Sequence, residues 1–343
     1  MNTNSYKFIH TSDWHLGAPV DWKPAEVKEG RWVNLFRHCR KRAIENIVEE
    51  AIKNKVVAVL VAGDVIDIYG YQDIKDDISN FLQSKVIIPL RDHGIKLFFT
   101  TGTHDENSIG ATKLLLKLKK KFTKDIEVLF PNEFKSQFNN TLVKNSTECG
   151  PLIISYDPPT IRCRWIEFRH KSNNLSKENL PLYRAFGDKH IMTFKNNRTF
   201  FPGTPFARSS ASDNQFTDVG PRYCLLYEVD KYEPDPIKLN VPEVAVLKKV
   251  LSERKWNLIY RRDHFRDKWI EEQPYEEPIE DILSRIMHEL PDVSFVTFVV
   301  DKNEEVIYSD TVLRGVHRFV NDTKRAIRGS REGIITVMLK NFW

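Results

Sequence analysis

No stretch of this chain is long and apolar enough for a membrane span; the longest hydrophobic runs, such as Val56–Ala62, are strand-length. The opening MNTNSYKFIH lacks the charged-then-apolar layout of a secretory leader, because a strand is expected to begin by Tyr6. Cysteine is sparse: Cys39, Cys149, Cys163 and Cys224 are scattered, with no paired spacing to indicate a zinc knuckle or a disulfide framework. A soluble protein of the reducing cytoplasm is therefore expected. Charge of one sign is also lacking. The net charge of +5 permits a nucleic-acid partner without requiring one. No internal repeat or low-complexity tract is evident.

What is present is a regular alternation over the first 130 residues. Tyr6–Thr11 reads as a strand, Arg31–Asn54 as a long amphipathic helix, and Val56–Ala62 as a strand covered on both faces. Helix is expected over Ile74–Asp92, strand over Ile95–Thr101, helix over Ala111–Phe122 and strand over Ile126–Phe130. This order predicts an α/β sheet layered with helices. Short strands then follow among Pro, Asn and Gly breaks: Leu152–Tyr156, Ile161–Phe168, His190–Phe194 and Tyr223–Val229. The spaced prolines of Tyr232–Pro242 suggest a strand edge or linker, and a domain boundary is placed near residue 242. Beyond it, helix is expected over Val244–Glu253, Pro278–Leu290 and Asp310–Ile327, with strands at Trp256–Arg261 and Ser294–Val300.

Asp13-Trp14-His15-Leu16-Gly17 directly follows the first strand. Residues two apart on extended chain point the same way, so Asp13 and His15 can converge on one cation. A carboxylate with an imidazole suits manganese, iron or zinc better than calcium. Gly63-Asp64-Val65-Ile66-Asp67 follows the second strand, Gly102-Thr103-His104-Asp105 the third, and Gly187-Asp188-Lys189-His190 lies beside a later one. Sites in α/β sheets form at the carboxyl ends of strands, so these loops are expected to gather on one edge. Any one of them alone is commonly a turn. Four in this order are not.

The ordered set DWHLG, GDVID, GTHD and GDKH resembles the calcineurin-like metallophosphoesterases. The opening FIHTSDWHLG and Phe201-Pro202-Gly203-Thr204-Pro205 are most similar to the SbcD-type nucleases of double-strand-break repair. The resemblance spans about residues 5–240 and is thin between 131 and 185. It implies a layered β-sandwich flanked by helices over residues 1–242, with a smaller α/β cap over 243–343 that helps select DNA ends or binds a partner. It also implies a two-metal centre that hydrolyses phosphodiesters. Partners implied are DNA, an SbcC-type coiled-coil ATPase and a second copy of the chain.

Carried over by position, the first metal would take Asp13, His15, Asp64 and His190. The second departs from the pattern. The usual GNHD reads with Thr103 and the usual GHxH with Asp188, while His170 is the one histidine at a fitting distance for the remaining ligand. His170 is flanked by Arg169 and Lys171, a setting more often that of a surface residue than of a ligand. A hydroxyl close to the backbone is a poorer ligand than an amide carbonyl. A carboxylate at 188 makes the site harder and more anionic, favouring Mn²⁺ or Mg²⁺. Alternatively the second site is simply weak, and Asp188 pairs with Lys189 or a nearby arginine. His104 would contact the scissile phosphate or protonate the leaving oxygen, with Asp105 orienting it. Asp67 reads as a loop-orienting carboxylate more than a ligand.

The lysines of Lys117–Lys124 are first a solvated helix end, and second a DNA contact. Arg261 and Arg262, near Tyr260, Phe265 and Trp269, mix charge with aromatics as phosphate-tracking surfaces do, and Lys189 adjoins the metal motif. Three functions follow: a metal-dependent nuclease of repair or phage defence, a degenerate subunit that binds DNA or its ATPase, and a nucleotide phosphodiesterase. The C-terminal extension and the FPGTP segment argue against the last.

Overall fold

The computed structural model describes residues 7–18, 31–68, 74–129, 151–155, 164–167, 183–195, 199–207, 219–228, 231–250, 255–260, 270–271, 279–290, 292–301 and 332–338. The chain divides into two compact units. The first comprises Met1–Pro19, Arg40–Pro205 and Arg222–Leu239, and the second Val20–Cys39, Phe206–Pro221 and Asn240–Trp343.

In the first unit, β1 (Lys7–Thr11), β2 (Ala58–Ala62), β3 (Lys96–Thr100) and β4 (Ile126–Leu129) run parallel and side by side. Two later strands, β10 (Tyr223–Glu228) and β11 (Asp235–Lys238), extend the sheet antiparallel beyond β1. Between the parallel strands in chain order come the helices: α1 (Arg31–Lys53, of which Arg40–Lys53 belongs to this unit), α2 (Ile74–Phe81), α3 (Ile88–Asp92), α4 (Thr103–Asn107) and α5 (Ile109–Lys121). A π-helical stretch over Leu82–Ile87 links α2 to α3 just before Pro89, which has no N–H to donate into an α-helical ladder. The helix expected over Ile74–Asp92 is thus one helical run with a changed register.

A second sheet, in the order β6 (Arg164–Glu167), β5 (Pro151–Ser155), β7 (Tyr183–Phe186), β9 (Thr199–Phe201), β8 (Thr193–Lys195), belongs to the same unit. The two sheets bury a common core. Phe8, Ala58, Leu60, Ala62 and Phe98 from the first meet Tyr183, Ala185 and Phe200 from the second. Strand alternation sends Ile9, Val59, Val61, Leu97 and Phe99 to the opposite face, where they are also buried. Helices α3 and α5 pack beside β3 and β4. Both faces are therefore covered, which explains why these strands read as continuous apolar runs. The mixed sheet flanked by helices is the α/β architecture expected from the sequence.

The second unit holds a five-stranded sheet in the order β14 (Ile270–Glu271), β13 (Lys255–Tyr260), β12 (Glu243–Val250), β15 (Val293–Asp301), β16 (Glu332–Met338), with α6 at Ile279–Glu289. One expectation fails here: the helix expected over Val244–Glu253 is not formed by its described residues, because Glu243–Val250 is a strand. It pairs on both sides, antiparallel to β13 and parallel to β15. The helix expected at Asp310–Ile327 lies outside the described residues.

Candidate metal centre

Each functional loop leaves the carboxyl end of a strand in the first unit. The β1 and β2 loops are laced by backbone bonds: Asp13 N donates to Gly63 O at 3.0 Å, His15 N to Asp64 O at 2.8 Å, and Leu16 N to Val65 O at 3.0 Å. The backbone here is contorted. Asp13 (φ 52°), His15 (φ 45°), Asp64 (φ 48°) and Asp188 (φ 70°) all occupy the left-handed region. That region costs a non-glycine residue about 1 kcal/mol or more, a strain that clusters where side chains must be aimed. The β3 loop adds Gly102, whose missing side chain matters: a Cβ there would sit 2.3 Å from Asp64 Oδ1. His104 N consequently reaches Asp64 Oδ1 at 2.8 Å. The fourth loop follows β7, and its Asp188 N donates to Asp13 Oδ1 at 3.1 Å.

The side chains then converge. Ligand atoms of Asp13, His15 and His190 lie within 4.8 Å of one another, as do those of His15, Asp67 and His104. His15 Nε2 and His190 Nε2 are 3.2 Å apart. Asp64 Oδ2 stands 3.7 Å from both His15 Nε2 and His104 Nε2. Asp13 Oδ2 is buried and takes no hydrogen bond among the described residues. Burial above all, and then the charge of Asp64, push the Asp13 carboxyl up to about 8, against the opposing pull of His190. A buried oxygen without a donor, two imidazole nitrogens in contact and a second carboxylate suit a divalent transition metal. Asp13, His15, Asp64 and His190 are the residues that would hold it.

Asp67 is the residue whose role the sequence understates. Its carboxylate is fully buried and faces two rings at once, Oδ2 lying 3.3 Å from His15 Nδ1 and Oδ1 lying 3.2 Å from His104 Nδ1. A negative charge beside each Nδ1 favours the tautomer that carries its proton there, which leaves Nε2 for the centre. His104 is partly exposed, its side chain at 18%, so a substrate can reach it. The expectation that Asp105 orients His104 is corrected. Asp105 is buried, and its oxygens accept backbone N–H groups of Val65 (3.0 Å), Ile66 (2.8 Å) and Gly102 (2.9 Å). It locks the β2 and β3 loops together. Burial and Asp64 raise its carboxyl to about 8, while those backbone donors pull it down.

The altered positions sit differently. Thr103 is the exposed first residue of α4, and Asp188 is exposed, its carboxylate in neither ligand group. Lys189 is half-buried, with its ammonium 5.2 Å from the centre of the Phe201 ring. His170, Arg261 and Arg262 lie outside the described residues. His190 is in the turn after β7, not in a strand; the strand begins at Thr193. No helix among the described residues is long and apolar enough to cross a membrane.

Over 111 residues the chain is 32% identical to a protein described as DNA double-strand break repair protein Mre11, from Aeropyrum pernix. That stretch is 32% of this chain and 23% of the relative, so less than a quarter of the relative's length is matched. The calcineurin-like phosphoesterase family model covers residues 6–285, from β1 through most of α6, and the chain belongs to that family.

Proposed function

We propose that this metal-dependent phosphoesterase is a DNA nuclease of SbcD type, acting with an SbcC-type ATPase in repair or phage defence, with its C-terminal unit as a cap. The observation that carries the reading is the convergence of Asp13, His15 and His190 at one point, with Asp64 and His104 alongside. Bound Mn²⁺ or Mg²⁺ would offset charge on a phosphodiester and acidify a water. The chain's own part is to aim the ligands and to supply a proton. His104, with the Asp67 carboxylate beside its Nδ1, presents Nε2 to the leaving oxygen or to the phosphate. The Mre11 similarity supports DNA as substrate, as does the FPGTP segment.

A second reading, a binding subunit without hydrolysis, is favoured by one feature: Thr103 and Asp188 are both exposed. The two are separated by assaying linear and hairpin DNA and bis-p-nitrophenyl phosphate across a Mn²⁺ series. The nuclease reading expects Mn²⁺-dependent cleavage of DNA, with Thr103→Asn/Asp188→His lowering the Mn²⁺ concentration needed. A wild type inert at every metal concentration, and activated by the double variant, establishes the binding subunit instead. Hydrolysis of the small ester without any DNA cleavage overturns the nuclease assignment.

A further inference from the structure

The metal ligands come from two separate sheets, and this poses a mechanical problem. The β1, β2 and β3 loops are joined by ladder bonds and by Asp105, but His190 arrives from the second sheet. Something must fix its distance from Asp13. Asp188 N contributes a bond to Asp13 Oδ1, yet that bond uses one of the ligand oxygens themselves.

We propose that Thr204 is the positioning residue that staples the two halves of the metal centre and so sets its metal affinity. The Thr204 side-chain Oγ1 donates to Asp13 O at 2.9 Å, while its backbone N donates to His190 O at 3.3 Å. One buried residue thus holds the main chain of both ligands, leaving their side chains for the cation. Its neighbours keep it in place. Ser12 Oγ donates to Gly203 O at 3.4 Å, and Arg222 Nη1 donates to His190 O at 3.1 Å. Gly203 is left-handed (φ 81°), and a Cβ on it would lie 2.8 Å from Met192 N and 2.9 Å from His190 O. This close approach explains the Pro-Gly-Thr order: glycine lets the segment touch the His190 turn, and threonine follows to bridge it to Asp13.

The inference rests on the reading that Asp13 and His190 share one cation. Outer residues that orient ligands typically change metal affinity about 10–100-fold. Mn²⁺ alone is the probe, titrated into metal-free protein and followed by the loss of free Mn²⁺ signal in electron paramagnetic resonance. Thr204→Val keeps the shape and the backbone donor but loses the hydroxyl; Thr204→Ser keeps the hydroxyl. Thr204→Val is expected to weaken the tighter Mn²⁺ site at least about 10-fold, and Thr204→Ser to remain within about threefold of wild type. If Thr204→Val lowers the thermal midpoint, the Mn²⁺-induced rise in that midpoint reports affinity for the folded fraction. Wild-type affinity in Thr204→Val overturns the staple while leaving the shared cation intact. Equal weakening in the valine and serine variants overturns it too, since the hydroxyl then does not matter. A wild type that binds no Mn²⁺ removes the shared cation itself, and the staple with it.

Discussion

Two aspartates of the centre are buried and close together, yet they do opposite work. Asp67 offers both oxygens to imidazole rings, whereas Asp105 offers both to backbone N–H groups. Their asparagine variants should separate accordingly. Asp67→Asn leaves the loops in place but lets His104 lose its fixed tautomer, so turnover is expected to fall by about 10²-fold or more. Asp105→Asn swaps one accepting oxygen for an amide NH2, a donor facing backbone N–H donors, which should cost about 1–3 kcal/mol of stability. Steady-state kinetics alongside urea unfolding checks both. A stability loss confined to Asp67→Asn would reverse the assignment. The sequence made both carboxylates visible but not their partners, since they follow different strands and the fold decides whether each meets a ring or a backbone N–H.

At the scale of elements, what was legible followed from periodicity. The parallel strands and the loops after them were evident because Val56–Ala62 and its neighbours are short apolar-rich runs followed by Ser-Asp, Gly-Asp or Gly-Thr. The strand Glu243–Val250 has a helix-like pattern for the same reason in reverse: paired on both sides, with Val244, Ala245 and Leu247 all buried, it lacks the alternation that marks a half-exposed strand. The close packing between elements was not legible either, and glycines show it. Gly102 touches Asp64, a backbone-anchored neighbour, while the Cβ of Gly110 in α5 would meet only the far end of Lys75. Gly102→Ala should therefore part the β2 and β3 loops, displace His104 and abolish hydrolysis, with Mn²⁺ affinity also reduced. Gly110→Ala, in the first turn of α5, should fold about as well as wild type, since the Lys75 side-chain end can swing away and alanine favours helix over glycine. Parallel measurement of thermal midpoint and hydrolysis checks the pair. An active Gly102→Ala enzyme would mean that the contact with Asp64 can relax.

For the molecule as a whole, the join between the two sheets of the first unit carries a titratable group that the chemistry leaves unused. His10 on β1 is fully buried, its Nδ1 2.9 Å from the Tyr183 hydroxyl on β7, and its ring meets that tyrosine edge-on. Burial drives its pKa from 6.5 to about 3, against a smaller opposing pull from a hydrogen bond with the Phe186 backbone. The unfolded chain therefore binds a proton below 6.5 that the folded chain refuses until about 3. The unfolded state binds more protons throughout that window, so stability is full above pH 6.5 and is lost as pH falls toward 3. Between pH 6.5 and 5 this one residue should remove roughly 2 kcal/mol. His10→Gln cannot titrate but can still bond the tyrosine, so its stability should be lower than wild type at neutral pH and should decline less steeply in acid. The check is the difference between wild-type and variant urea midpoints from pH 7.5 to 5. If that difference stays constant with pH, His10 is taking up its proton in the folded state, and the sandwich core is more open to water than the burial of Phe8, Tyr183 and Tyr227 around it implies.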